Sequence, residues 1–153
     1  PQGELFKFLA PDFKDKKLLL QRTTWPLSGI FNPIDGLMYL ADPFIGLLSL
    51  KLEGDTAVEE KIVVHMNFAN QVSVGSDGMV YVTDTFSRIN LAFTKMANFY
   101  HEMFSGAATG QLIQYDPRTQ TSKVLIDSSS GSLRIANGVA VSKDNKFVYV
   151  QGK

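Results

Sequence analysis

Residues 28–42 read SGIFNPIDGLMYLAD, and the same pattern returns 42 positions later at residues 70–84 as NQVSVGSDGMVYVTD. Both copies place an Asp-Gly pair, a Tyr and a final Asp at equivalent positions. A third copy follows at residues 135–150, IANGVAVSKDNKFVYV, where the Asn matches at an offset of 67 and the Tyr at an offset of 68. A fixed recurrence of this kind predicts a fold built from copies of one supersecondary unit.

Other segments recur between these copies in the same cyclic order. Apolar segments led by a glycine begin at Gly3, Gly46 and Gly110, and a short aliphatic segment follows each of them. The segments are 4 to 8 residues long and rich in Val, Ile, Tyr and Phe, which is typical of strands. The Asp-Gly pairs supply the positive φ of a tight hairpin turn, so consecutive strands should pair antiparallel. Four strands in about 42 residues is typical of a propeller blade.

The predicted fold class is all-β, a partial β-propeller of about two and a half four-stranded blades with one helical insertion. Residues 1–25 would end one blade, residues 26–67 and 68–134 would each form a blade, and residues 135–153 would start another. A β-sandwich has no reason to repeat its turns and aromatic positions at a fixed offset. Closed propellers contain about 4 to 8 blades. We therefore expect the rest of the propeller in a longer parent chain, with assembly of several copies into a ring as the alternative.

The blade of residues 68–134 is about 25 residues longer than the one before it, and the extra residues include a predicted helix at about 86–105. Its apolar residues recur at spacings of three and four, namely Ile89, Phe93, Met96, Tyr100 and Met103. Ser87 is the predicted N-cap and Gly106 the predicted end. The helix would either pack on its own blade or cover one mouth of the propeller.

Composition excludes several classes of function. Fifteen Lys and Arg balance fifteen Asp and Glu, so no excess positive charge favours nucleic acid. The chain has no cysteine, which excludes disulfides, thiolate zinc sites and a Cys nucleophile within it. No apolar run approaches the ~20 residues of a membrane helix. Membrane association is therefore expected only through a segment outside this chain.

Asn70 and Asn137 are the candidate metal ligands. Each lies at the start of the strand expected nearest the central channel, and a neutral amide oxygen suits Ca²⁺, which takes about 6 to 8 oxygen ligands. The alternative is structural, since Asn also stabilises turns through backbone hydrogen bonds. Ser28 holds the matching position in the first copy and is a poorer ligand. The carboxylates of a calcium site would have to come from blades outside this chain.

Other side chains give little sign of catalysis. The sequence contains no phosphate loop, zinc-ligand spacing or nucleophile elbow. His65 and His101 have no evident Ser or Asp partner, and a lone His is more often structural than catalytic. Asp42 and Asp84 end equivalent strands, and their repetition predicts hydrogen bonding in turns. The sequence identifies no catalytic residue.

Four segments together resemble the strictosidine synthase-like family: residues 25–50, 68–86, 109–126 and 135–150. The order of Gly-x-Leu-x-x-Tyr-Asp-Pro, an aliphatic strand and Ala-Asn-Gly-Val is specific to that group and its relatives. The resemblance covers essentially the whole chain. It implies a six-bladed propeller, a small-molecule substrate in the central channel, and an endomembrane or secretory location.

The chain is also distantly similar to paraoxonases and gluconolactonases, which are calcium-dependent hydrolases. Asn70 and Asn137 fall where the paraoxonase pattern has metal-coordinating Asn, whereas Gln71 stands where many relatives have Asp. The resemblance implies a calcium-dependent hydrolase of esters or lactones. One alternative is a strictosidine synthase-type amine–aldehyde condensation (a C–N lyase), which uses a Glu in a later blade that this chain does not reach. The other is a non-catalytic binding propeller.

Overall fold

The structure is a computed structural model that describes residues 3–90 and 95–153. Its strands, in chain order, are β1 (Gly3–Phe8), β2 (Lys16–Arg22), β3 (Ser28–Phe31), β4 (Met38–Asp42), β5 (Gly46–Glu53), β6 (Thr56–His65), β7 (Ala69–Val74), β8 (Val80–Asp84), β9 (Gln111–Asp116), β10 (Thr121–Ile126), β11 (Val139–Val141) and β12 (Val148–Val150). An α-helix, α1 (Met96–Phe104), lies between β8 and β9. No helix in the described ranges is long and apolar enough to cross a membrane.

The strands form sheets in the order of the chain. β3-β4-β5-β6 and β7-β8-β9-β10 are four-stranded, while β1-β2 and β11-β12 are two-stranded. Every pairing is antiparallel between consecutive strands. These are the meander sheets expected of propeller blades, with half a blade at each end. The predicted partial β-propeller with one helix is confirmed.

The strands β3, β7 and β11, which begin three successive sheets, lie side by side. β7 packs against both β3 and β11. The Val72 N–H donates to Ser28 Oγ at 3.3 Å, which joins β7 to β3. The Thr83 hydroxyl donates to the Asn137 carbonyl at 2.5 Å, which joins the second full sheet to the segment before β11. The repeated segments are therefore neighbours around the inner side of the arc.

The core lies between the sheets. Along β4, Tyr39 and Ala41 belong to the apolar cluster shared with the β7-to-β10 sheet. Leu40, between them in sequence, belongs to the cluster shared with the β1-β2 hairpin. Side chains alternate across a strand, so both faces of β4 are buried and its sequence is mainly apolar up to the Asp that ends it. Complete burial of one such Leu side chain contributes roughly 1.5–3 kcal/mol.

The hairpin turns follow the prediction from the Asp-Gly pairs. Gly36 has φ +75° and Gly78 has φ +84°. In the third copy Asn145 takes this place with φ +57°, a conformation that Asn tolerates better than most residues. The preceding Asp caps each turn, as when Asp35 Oδ1 accepts the Leu37 N–H at 2.9 Å. The first hairpin of each unit is thus specified locally.

Helix α1 is shorter than the predicted helix. Ser87 does not cap it: the Ser87 N–H donates to the Thr109 carbonyl at 2.9 Å, and the Asn67 side chain donates to the Ser87 carbonyl. These bonds hold the chain leaving β8 in a turn, so the predicted N-cap is wrong. The helix ends at Phe104, two residues before Gly106, which has φ +72°. The predicted apolar position Phe93 lies outside the described residues.

The helix packs on its own blade. The Phe99 ring stacks on Phe68 with a centroid separation of 5.9 Å, and meets Phe86 edge-on at 5.7 Å. Phe68 immediately precedes β7 and Phe86 follows β8, so both belong to the sheet that carries the insertion. Tyr100 and Phe104 on the same helix are exposed. These contacts favour the own-blade packing expected for the insertion.

Candidate site at the channel mouth

The ends of several strands meet at one edge of the arc. β8 is antiparallel to β7, and Asp84 at its end pairs with Ala69 at the start of β7. Asn70 follows Ala69, and Asn137 lies two residues before β11. The insertion carrying α1 leaves β8 from this same edge. We call this edge the mouth.

A chain of hydrogen bonds connects Asn70 to the segment before β11. Asn70 Nδ2 donates to Thr85 Oγ1 at 3.0 Å. The Thr85 hydroxyl donates in turn to the Ala136 carbonyl at 2.7 Å. Thr85 and Ala136 are both buried, so these bonds are shielded from water. The two predicted ligand residues are therefore tied together through Thr85.

A second threonine makes a parallel connection. The Gln71 N–H donates to Thr83 Oγ1 at 3.2 Å, and the Thr83 hydroxyl donates to the Asn137 carbonyl. On its other side, the Asn137 N–H donates to the Gln151 carbonyl at 2.8 Å. The backbone of Asn137 is thus held on both sides, while its side chain is exposed.

The described residues at the mouth supply only some of the oxygen ligands that a hard cation needs. Asn70 and Asn137 supply neutral amide oxygens, whereas Ser28 Oγ already accepts the Val72 N–H. No group of three or more His, Cys, Asp or Glu that could hold a metal occurs in the described part of the chain. Two amides fit part of a calcium shell of about 6 to 8 oxygens. The remaining ligands would have to come from outside these residues, and the assignment of Asn70 and Asn137 as ligands stays a prediction.

The aspartates that end β4 and β8 support the chain at the mouth. Asp84 is 3% exposed and accepts the N–H groups of Asn67 at 3.3 Å and Phe68 at 2.9 Å, just before β7. Asp42 accepts the Phe44 N–H at 2.9 Å in the equivalent loop. The predicted role in turn hydrogen bonding is confirmed. Burial raises the pKa of the Asp84 carboxyl, although its backbone hydrogen bonds oppose that shift.

The pKa of Asp84 predicts a pH dependence of stability. A raised pKa means that Asp84 binds its proton more tightly in the folded protein than in the unfolded chain. Its contribution to the free energy of unfolding is therefore largest below the ordinary pKa of 3.8, and it is lost as the pH rises through the pKa of the folded state. The stability of the wild type relative to Asp84→Asn should therefore decrease between pH 3 and pH 7. Urea denaturation of both full-length proteins across this range measures the difference.

Asp144→Asn is the matched control for this experiment. Hydrogen bonds from Ser142 and Lys146 hold the pKa of Asp144 below its usual range. Its contribution to stability should accordingly grow as the pH rises. A wild-type advantage over Asp84→Asn that also grew with pH would show that the backbone N–H groups outweigh burial at Asp84.

A groove of about 600 Å³ lies beside the mouth, between the two complete four-stranded sheets. His65, Asp84 and Ser87 all line it. No hydrogen bond joins these three side chains among the described residues, and both Asp84 oxygens accept backbone N–H groups. In a nucleophilic triad the nucleophile lies within hydrogen-bonding distance of the base, and the base within hydrogen-bonding distance of the acid. In the described part of the chain, His65, Asp84 and Ser87 therefore do not form such a triad.

The sequence interpretation missed the two threonines at the mouth. Thr83 and Thr85 lie in VTDTF, where the first copy has LADPF with Ala41 and Pro43 at the equivalent positions. These hydroxyls differ between the copies, whereas the repeat is defined by the residues that the copies share. The change from Ala and Pro in the first copy to Thr in the second is the sequence signal that could have identified these two residues.

Radially neighbouring meander sheets, with a mouth formed where their inner strands begin, define the chain as part of a β-propeller. A family model described as "Strictosidine synthase" matches residues 60–152. The chain belongs to the strictosidine synthase family, as its sequence motifs predicted.

Curated relatives agree with this family. Protein STRICTOSIDINE SYNTHASE-LIKE 13 of Arabidopsis thaliana is 33% identical over 129 residues, which cover 80% of this chain and 29% of the relative. Adipocyte plasma membrane-associated protein of Homo sapiens is 31% identical over 132 residues, covering 80% of this chain and 29% of that protein. The chain thus spans about three tenths of the length of these relatives.

Proposed function

We propose that the full-length protein is a calcium-dependent hydrolase of esters or lactones that acts at the mouth of its propeller. The observation that carries the proposal is the placement of Asn70 and Asn137 at the starts of neighbouring inner strands, linked through Thr85. The resemblance of the sequence to the paraoxonase pattern at Asn70 and Asn137 favours the same chemistry. The substrate would be a small molecule in the central channel, and the rest of the propeller would complete the site.

The residues of this chain would hold the cation rather than react. An amide oxygen stays neutral and available across the physiological pH range, so Asn70 and Asn137 would bind without competition from protons. Bound calcium would supply Lewis-acid polarisation of the substrate carbonyl and stabilise the developing oxyanion. The hydrogen bonds of Thr85 would hold the Asn70 amide at a fixed position relative to the backbone just before Asn137.

The proposal predicts calcium-dependent turnover of phenyl acetate or a γ-lactone by the full-length protein. Chelation by EGTA should abolish hydrolysis, and added Ca²⁺ should restore it. Asn70→Ala and Asn137→Ala should each weaken Ca²⁺ binding at least tenfold by isothermal titration, because each removes one oxygen ligand. Asn98→Ala, at an exposed position on α1, is the matched control and should bind Ca²⁺ as the wild type does. Hydrolysis that persists in EGTA would contradict the proposal.

Two other functions have support of their own. Family membership favours an amine–aldehyde condensation, which would need a buried Glu outside this chain and no metal. The Asn70–Thr85 hydrogen bond gives that Asn a structural use and thereby favours a non-catalytic binding propeller. Metal-independent condensation of an amine with an aldehyde would select the first alternative. Absence of turnover with both substrate classes would select the second.

A further inference from the structure

We propose that Thr85 is a positioning residue that turns the amide oxygen of Asn70 toward the solvent at the mouth. The inference rests on the proposed function in that the oxygen so presented would be a calcium ligand. Thr85 is 3% exposed and would not itself meet a cation or a substrate. It would act through Asn70.

The direction of each hydrogen bond follows from the partners. The Ala136 carbonyl can only accept, so the single proton of the Thr85 hydroxyl is committed to it at 2.7 Å. Thr85 Oγ1 can then only accept from Asn70, and the group of Asn70 that faces it at 3.0 Å must be the NH₂. The carbonyl Oδ1 of Asn70 is consequently directed away from Thr85.

The oxygen of Asn70 is available at the mouth. No hydrogen bond to Asn70 Oδ1 occurs among the residues that the structure describes, and the atom is not one of the buried side-chain oxygens lacking a partner. Asn70 is half-buried, so this oxygen remains in contact with solvent. A buried hydroxyl thus fixes the orientation of an amide whose oxygen is open, which is how supporting residues orient metal ligands.

The first copy of the repeat lacks both the threonine and the asparagine. The position equivalent to Thr85 is Pro43, and the position equivalent to Asn70 is Ser28. The sheet that contains Pro43 packs against the next sheet through an apolar cluster and the Ser28–Val72 hydrogen bond, with no hydroxyl at position 43. A hydroxyl at this particular position is therefore not a feature of every blade junction, and it occurs in the copy that also carries the Asn.

Calcium affinity of full-length variants tests the proposal. Thr85→Val keeps the shape of the side chain but removes the hydroxyl, and it should weaken Ca²⁺ binding 10- to 100-fold, the range typical for supporting residues of a metal site. Thr85→Ser keeps the hydroxyl and should stay within about threefold of the wild type. Thr83→Val is the matched control, because Thr83 bonds backbone groups without contacting the Asn70 side chain. Thr83→Val should weaken Ca²⁺ binding less than Thr85→Val does.

A second measurement remains informative if the protein binds no calcium. The side-chain amide resonance of Asn70, assigned by its loss in Asn70→Ala, should shift in Thr85→Val and keep its position in Thr85→Ser. A wild type without Ca²⁺ affinity but with this shift would overturn the calcium function and leave the orientation of Asn70 intact. An unchanged Asn70 resonance in Thr85→Val, or equal calcium affinity of the Val and Ser variants, would overturn the positioning role.

Discussion

Gly46→Ala should destabilise the full-length protein by about 3 kcal/mol or more. Gly46 begins β5 with φ +129°, a conformation whose cost for other residues is of order 1–3 kcal/mol. A Cβ atom here would lie 2.1 Å from the Val64 carbonyl oxygen and 2.7 Å from the Met66 nitrogen. Both contacts are with backbone, so relief requires the end of β6 to move, at roughly 1–3 kcal/mol. Urea denaturation of the wild type and the variant measures the loss.

Gly54→Ala separates the two causes. Gly54 also has a positive φ, +61°, but a Cβ atom there would meet nothing within 4 Å. Its replacement should cost only about 1 kcal/mol, from the backbone conformation alone. If the two variants lost stability equally, the close approach of Val64 would not be the reason for glycine at position 46.

The recurrence of glycine identified the strand but not the physical reason. Gly3 has the same crowding as Gly46, with the Thr24 carbonyl oxygen 2.0 Å from a hypothetical Cβ. In both places the chain that leaves the fourth strand passes directly over the start of the third. The residues that approach each other are about 20 positions apart in the chain. The sequence therefore shows that a glycine recurs but does not show which backbone it contacts.

Most of the fold was predictable because its signals are local. Apolar alternation and the positive φ at Gly36 and Gly78 act within a few residues, and these features specify strands and hairpins. The start of α1 was not predictable in this way. Ser87 has the side chain of an N-cap, but its backbone is used in contacts with Thr109 and Asn67, and tertiary contacts of this kind override local propensity.

The candidate site was predictable only in part. The repeat placed Asn70 and Asn137 at the same mouth, because matched positions in successive blades are neighbours in space. The direction in which the Asn70 amide points depends on Thr85 and on a carbonyl 51 residues further along. This arrangement could not be predicted from the sequence because no local pattern connects Asn70 with Ala136. It forms only when the blades pack together.

Arg22→Met should cost about 3 kcal/mol or more because it leaves a buried carboxylate without its cation. The Arg22 side chain is 10% exposed and lies 3.8 Å from the Asp42 carboxylate, whose side chain is fully buried. It also donates to Glu60 on β6 and so joins the β1-β2 hairpin to the next sheet. Met retains much of the apolar length of Arg, so the loss would report the charge. Removing one partner of a buried ion pair typically costs about 3–5 kcal/mol.

Lys17→Met is the matched control, since Lys17 also lies on β2 and also pairs with an acid of the next sheet. Its partner Asp55 is reached at 2.5 Å, but the Lys17 side chain is 53% exposed. Hydrogen bonds from Lys17 and Lys7 lower the pKa of Asp55 to about 2, and after the substitution Lys7 still pairs with it. Water also solvates an exposed carboxylate, so thermal unfolding of this variant should stay close to that of the wild type. Equal losses in the two variants would mean that the hairpin is held by its surface charges, and the burial of Asp42 would then not account for the role of Arg22.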